Sequence, residues 1–270
     1  MQSSVLMKKF LFLLLTLGLA GWSLSVHAHD FWMQASPYYT QPGGKVKISI
    51  HVGVDMIGDS LPNIGEWYKD FSYISHGNRH KVKGRIGDDP AGFFSTERPE
   101  TAVIGYLSSP DFVELKPSKF NSYLKEEGLE KIIAKRNQLG EADKNAREHY
   151  IRCAKMLVQS GENYQGYEAE LGYPLELFPL QNPYNLASNS TLSVELRFEN
   201  KPVKDALIIA FTNQQPDLKQ KIRTDANGKA TISLNKPGEW IIKAVEMKRY
   251  PKKGAEWISY WASLTFKFGR

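Results

Sequence analysis

Residues 257–268 alternate so that Ile258, Tyr260, Ala262, Leu264 and Phe266 share one side of a strand, while Trp257, Ser259, Trp261, Ser263 and Thr265 share the other. Aromatic rings fall on both sides, which predicts a strand covered on both faces. Shorter strand patterns precede it at residues 191–198, 206–212, 220–224, 230–234 and 240–247. Asp225-Ala226-Asn227-Gly228 and Lys236-Pro237-Gly238 supply turns between them, and the spacing suits a small β-sandwich.

The same signature opens the chain's first half. From Lys45 to Val54, Val46, Ile48, Ile50, Val52 and Val54 face one way, and Lys47, Ser49 and His51 the other. Residues 72–82 read as a hairpin about Gly77-Asn78, where a leading glycine suits a type II′ turn. That register pairs His76 with Arg79 and Ser75 with His80, so the two histidines face opposite ways. Further strands are expected near Phe93 and at residues 101–106.

Between these halves the period changes. Phe120, Tyr123, Leu124, Leu129, Ile132 and Ile133 recur at helical spacing, with Ser118 as an N-cap after Pro117. A second helix is expected from Asp143 to Gln159, with Tyr150, Ala154, Leu157 and Val158 near one face and His149 among charged residues. Glu126, Glu127, Arg147, Glu148 and Arg152 then suggest an ion-pair network between the two helices. The fold class is mainly β: two linked β-sandwich modules, Ig-like or transthyretin-like, with a helical insert. The boundaries are 1–28 for a signal peptide, 29–116, 117–165 for the insert, and 166–270.

Lys8 and Lys9, the apolar run from Phe10 to Ala20, and small residues Val26 and Ala28 form a secretion signal with cleavage before His29. An earlier cut after Ala20 leaves a long apolar stub. The expected location is the periplasm, and no later stretch is apolar enough to span a membrane. Loss of the two lysines lowers the formal charge from +6 to +4, too little to argue for nucleic acid. The single cysteine, Cys153, has no partner within the chain, so stability rests on packed cores rather than a disulfide.

Cleavage before His29 would expose an α-amino group beside an imidazole Nδ1, and the two can close a chelate ring on one metal ion. Their ordinary pKa values of about 7.7–8.0 and about 6.5 make the displaced protons cheap near neutral pH. Copper(II) leads the affinity order with nickel behind it. A second histidine would complete a histidine brace, and His51 is the first candidate because it lies on the polar side of its strand. The third mature residue is Phe31, so the amino-terminal motif with histidine at position three is absent. Asp55 and Asp59 lack calcium-loop spacing, and no phosphate loop, His-Glu-x-x-His or nucleophile elbow occurs. The chain is therefore not expected to be an enzyme, although a copper-dependent oxygenase would share the terminal histidine. A metal-free structural or interaction module is the competing class.

Several separated motifs carry a family resemblance. They are His29-Asp30-Phe31-Trp32, residues 123–129, Arg147-Glu148 with Tyr150 and Arg152, Thr224-Asp225, Pro237-Gly238, Trp240 and residues 261–266. Together they resemble the bacterial exported family of unknown function numbered 4198. The resemblance implies association with nickel and cobalt uptake, and a metal transporter or envelope protein as partner. Relatives often carry histidine in the strand after the conserved tryptophan. Here Glu246 follows Ala244-Val245, so the resemblance implies a carboxylate ligand there.

Overall fold

The computed structural model describes residues 30–269. The first half contains β1 (Asp30–Ser36), β2 (Tyr39–Thr40), β3 (Val46–Val54), β4 (Ile57–Leu61), β5 (Tyr68–Ser75), β6 (Asn78–Lys81), β7 (Gly92–Phe94), β8 (Glu100–Ser108) and β9 (Asp111–Leu115). Two short helices follow, α1 (Pro117–Glu126) and α2 (Glu130–Gln138). The second half contains β10 (Ala146–Ser160), β11 (Leu175–Pro179), β12 (Ser190–Phe198), β13 (Lys201–Pro202), β14 (Leu207–Thr212), β15 (Gln220–Arg223), β16 (Lys229–Leu234), β17 (Gly238–Arg249) and β18 (Trp257–Phe268).

A ten-stranded sheet runs through the molecule in the order β15-β14-β17-β18-β10-β8-β5-β6, with β2 and β9 also paired to β10. Strand β18 stands near its middle. One side of that sheet, including Ile242, Ala244, Tyr260, Ala262 and Leu264, is covered by the sheet of β11, β12, β13 and β16. The other side is shared. The sheet of β1, β3, β4 and β7 packs on Ile104, Ala154 and Met156, while α1 and α2 pack on Ala146, Val245, Met247 and Trp257. Both faces of β18 are thus covered, as its alternation predicts, and the packing is three layers deep.

The expected division into two linked sandwich modules is not how the strands associate. Strand β10 pairs in parallel with β18 from Glu148–Trp257 to Met156–Thr265, and antiparallel with β8 and β9 on its other edge. It stitches the first half of the chain to the second in one sheet. This strand occupies the place where a second helix was expected. Tyr150, Ala154, Leu157 and Val158 mimic a helical stripe only because residues 153–160 are all buried, and a strand covered on both faces loses its period of two.

The interhelical ion-pair network falls with that helix. Alternation along β10 puts Arg147 on the side opposite Glu148 and Arg152, and extended spacing keeps the latter two apart: Arg147 pairs with Glu256, Glu148 accepts from the hydroxyls of Tyr123 and Ser259, and Arg152 lies over the Phe31 ring. Cys153 does pack as a small apolar residue, with burial pushing its thiol up to about 12.

The β5–β6 hairpin also differs by one residue. Ser75 opposes Asn78, Ile74 opposes Arg79 and Tyr73 opposes His80. His76 and Gly77 form the turn, at φ 48 and 72 respectively. Positive φ at both central positions matches a type I′ turn, which suits the twist of the paired strands. His76 tolerates this conformation because its backbone N–H and Nδ1 both reach the buried Glu100 carboxylate at 2.7 Å.

Helix α1 ends in a Schellman turn: Leu129 N–H donates to Leu124 O at 2.7 Å, and Gly128 N–H to Lys125 O at 3.2 Å. Gly128 has φ +67, and a Cβ there would lie 2.5 Å from that of Leu207. Gly128→Ala is therefore expected to destabilise the protein by about 1–3 kcal/mol. A fall of several degrees in the melting temperature would register it. An unchanged midpoint would mean that α1 can move away from β14 at no cost.

Candidate metal-binding site at the first strand

Strand β1 pairs antiparallel with β3, placing Asp30 opposite Gly53, Trp32 opposite His51 and Gln34 opposite Ser49. Alternation turns Phe31, Met33 and Ala35 into the core below, and Asp30, Trp32 and Gln34 to the other side. That other side meets β17 at every second residue. Gln34 Nε2 donates to Glu239 at 2.8 Å, Trp32 packs with Phe211 and Ile241, and Asp30 accepts from Lys243 Nζ at 2.6 Å. Thr265 on β18 also donates to Met33 O at 2.8 Å. The chain is fixed from its first described residue.

His51 lies beside this segment, as the polar face of its strand suggests. Its ring stacks on Trp32 with centroids 5.2 Å apart and planes 14° from parallel. Its Nε2 is buried and has no hydrogen-bond partner among the described residues. Burial lowers the imidazole pKa against the opposing pull of Asp89, so the ring is neutral at neutral pH and keeps a lone pair.

Asp30 belongs to a buried charge cluster. Lys243 Nζ lies 2.6 Å from Asp30 Oδ1 and 3.3 Å from Glu127 Oε1. Both carboxylates belong to residues only 5% exposed. Glu127 Oε2 is buried without a hydrogen-bond partner among the described residues, and burial raises the Glu127 pKa despite Lys243. The two carboxylates in turn raise the lysine, outweighing its own desolvation.

Glu246 is not brought to this cluster. Register along β17 sends it to the side opposite Lys243, where Lys131 of α2 holds it at 2.6 Å. Among the other histidines, His76 pairs with Glu100, His80 stacks on Tyr73 at 5.1 Å, and His149 lies on β10 with Nδ1 3.2 Å from Asp111 O. Asp55 sits in the β3–β4 turn and pairs with Lys219 at 2.5 Å. The signal peptide at 1–28 and His29 lie outside the described residues. Among the described residues no group of three or more His, Cys, Asp or Glu side chains is arranged to hold a metal.

Sequence reasoning missed the Asp30–Lys243–Glu127 cluster. One signal was present: Lys243 interrupts the apolar run 240–245 of a strand whose neighbours are buried on both faces. A lysine in that setting needs a buried partner.

A family model described as "Domain of unknown function (DUF4198)" matches residues 26–248. No curated protein matches the chain. Among solved structures, the chain is similar to the "D0-D1 domain of Intimin" at 13% identity, covering 89% of this chain and 98% of that one, with a TM-score of 0.21. That likeness is too slight to bear on fold or function.

Proposed function

The chain belongs to the DUF4198 family, whose description assigns no activity, and we propose that it is an exported periplasmic protein that binds a transition-metal ion through His29. Cleavage before His29 supplies the α-amino and imidazole nitrogens, and His51 supplies the facing nitrogen. Copper(II) or nickel(II) suits such a nitrogen set, and cobalt(II) is the further cargo that uptake would involve. The protein then serves metal handling or uptake, passing its ion to a transporter or another envelope protein.

The observation that carries this reading is the buried, unpartnered Nε2 of His51 on the strand paired with β1. Buried polar atoms are almost always satisfied, so an orphaned imidazole nitrogen points to something that fills it. Asp30, which follows His29 in the chain, is tied to Lys243 at 2.6 Å.

Copper(II) and nickel(II) titrations of protein made to begin at His29 test the reading, beside a copy with one extra residue in front. Stoichiometric binding is expected from the first and not from the second, since extension converts the amino group into an amide. His51→Ala is expected to weaken the copper complex and alter its electron paramagnetic resonance spectrum. Equal, weak binding by both forms would remove the metal reading and leave an exported interaction module.

A further inference from the structure

Strand β7 carries Phe93 outward between two lysines. Lys47 of β3 opposes it on one edge and Lys83 on the other, the latter exchanging backbone hydrogen bonds of 3.0 and 2.7 Å with it. Residues directly opposite in antiparallel pairing share a face, so both lysines stand on the Phe93 side, their Cα atoms about 10 Å apart. Lys45, two residues before Lys47, joins them with Nζ 3.7 Å from the Phe93 ring centroid. Val82 packs on the core beneath, which turns Lys81 outward beside Lys83. All four lysines are exposed and Phe93 is half-buried. Among the described residues none of the four forms an ion pair, whereas Lys131, Lys155, Lys219, Lys243 and Lys248 each hold a carboxylate.

From Lys83 the chain runs into a turn at residues 85–88, closed by Asp88 N–H donating to Arg85 O at 3.0 Å. Ile86 stands on that turn 81% exposed, the most exposed large hydrophobic side chain among the described residues. Arg85 beside it is 91% exposed in side-chain terms, with Asp88 3.7 Å away. Clustered cations attract any polyanion, but a bare isoleucine gains nothing from a solvated glycan or nucleic-acid chain. It gains where it can leave water. We infer that this face, Lys45, Lys47, Lys81 and Lys83 together with Ile86, docks on a membrane surface rich in anionic phospholipid. The ammonium groups meet the lipid phosphates, and Ile86 enters the boundary between headgroups and acyl chains. Docking of this kind needs no metal at His29.

The test is sedimentation of protein beginning at His29 with vesicles of phosphatidylcholine alone and of equimolar phosphatidylcholine and phosphatidylglycerol, at physiological salt. Binding is expected to the mixed vesicles only. Lys47→Gln with Lys83→Gln is expected to weaken it by about 25-fold, a factor of about five for each lysine at an anionic surface. Lys252→Gln with Lys253→Gln removes the same charge from the exposed β17–β18 loop and should change binding by less than about twofold, because salt screens beyond about 8 Å. Ile86→Ser should weaken binding by about 10-fold, a ratio that holds as salt is raised. The substituted side chains are exposed, so each variant should melt with the unmodified protein. Equal losses from the two lysine pairs would mean that net charge alone attracts the protein and would overturn the docking face. Binding to neither vesicle overturns it as well. Capture of soluble dextran sulfate through Lys47 and Lys83 in that case would assign the face to a polyanionic glycan.

Discussion

Lys155→Met is expected to destabilise the protein by about 3–5 kcal/mol. Lys155 and Glu176 are 2% and 4% exposed in side-chain terms, and Nζ lies 2.6 Å from Oε1. The pair bridges β10 of the central sheet to β11 of the covering sheet. Glu176 also accepts the backbone N–H groups of Leu171 at 2.8 Å, Gly172 at 3.0 Å and Tyr173 at 3.3 Å, and Lys155 sits 4.2 Å above the Phe178 ring. Methionine fills the lysine's volume but leaves a buried carboxylate with no cation. Adding Glu176→Gln should recover much of the loss, because the remaining amide carries no charge and its oxygen still accepts from the 171–173 backbone. Urea denaturation of the two single variants and the double would measure the coupling. A single-variant loss below about 1 kcal/mol would mean that the pair's attraction barely exceeds the cost of burying it.

The second large effect depends on pH. Glu148 on β10 is buried under α1, accepting from Tyr123 Oη at 3.1 Å and from Ser259 Oγ, which in turn accepts from Trp261 Nε1 at 2.8 Å. Burial pushes its pKa up to about 7, with both hydroxyls opposing. A carboxyl that ionises near 4.5 when unfolded and near 7 when folded favours the folded state in its neutral form. Its contribution is undiminished below pH 4.5, is lost as pH rises from 4.5 to 7, and stays lost above that. At about 1.4 kcal/mol per pKa unit, the loss is on the order of 3 kcal/mol. Glu148→Gln should therefore match the unmodified protein near pH 4.5 and exceed its stability increasingly up to pH 8. A difference that stays flat with pH would show that Glu148 remains ionised in the fold.

Much of the strand content was legible because most strands have one side more buried than the other. Residues 46–51 and 230–234 alternate for that reason, whereas at the end of β3 the order reverses, with Gly53 buried and Val54 exposed. Strand β10 was not legible, since continuous burial from Cys153 to Ser160 erases the period that separates strand from helix. The hairpin register slipped because His76 takes a positive φ that the sequence-level rule reserves for glycine, asparagine or aspartate. Of the candidate site, the placement of His51 followed from its strand face and the pairing of β1. Glu127 and Lys243 stayed hidden, for they lie 116 positions apart and meet only where α1 caps the central sheet.

Strand β18 follows every other described strand in chain order, yet it lies between β17 and β10, and its pairing with β10 spans nine residue pairs. The two sides of the central sheet have no other strand between them to complete the ladder. A growing chain therefore exposes one edge of β10 and one of β17 until residues 257–268 have emerged, and the core between the central sheet and the sheet of β11, β12, β13 and β16 cannot close before then. Non-local closure of this kind slows folding and leaves apolar edges open in the interim. On the export route we propose, delayed closure has a use: the element that locks the structure follows every other described strand.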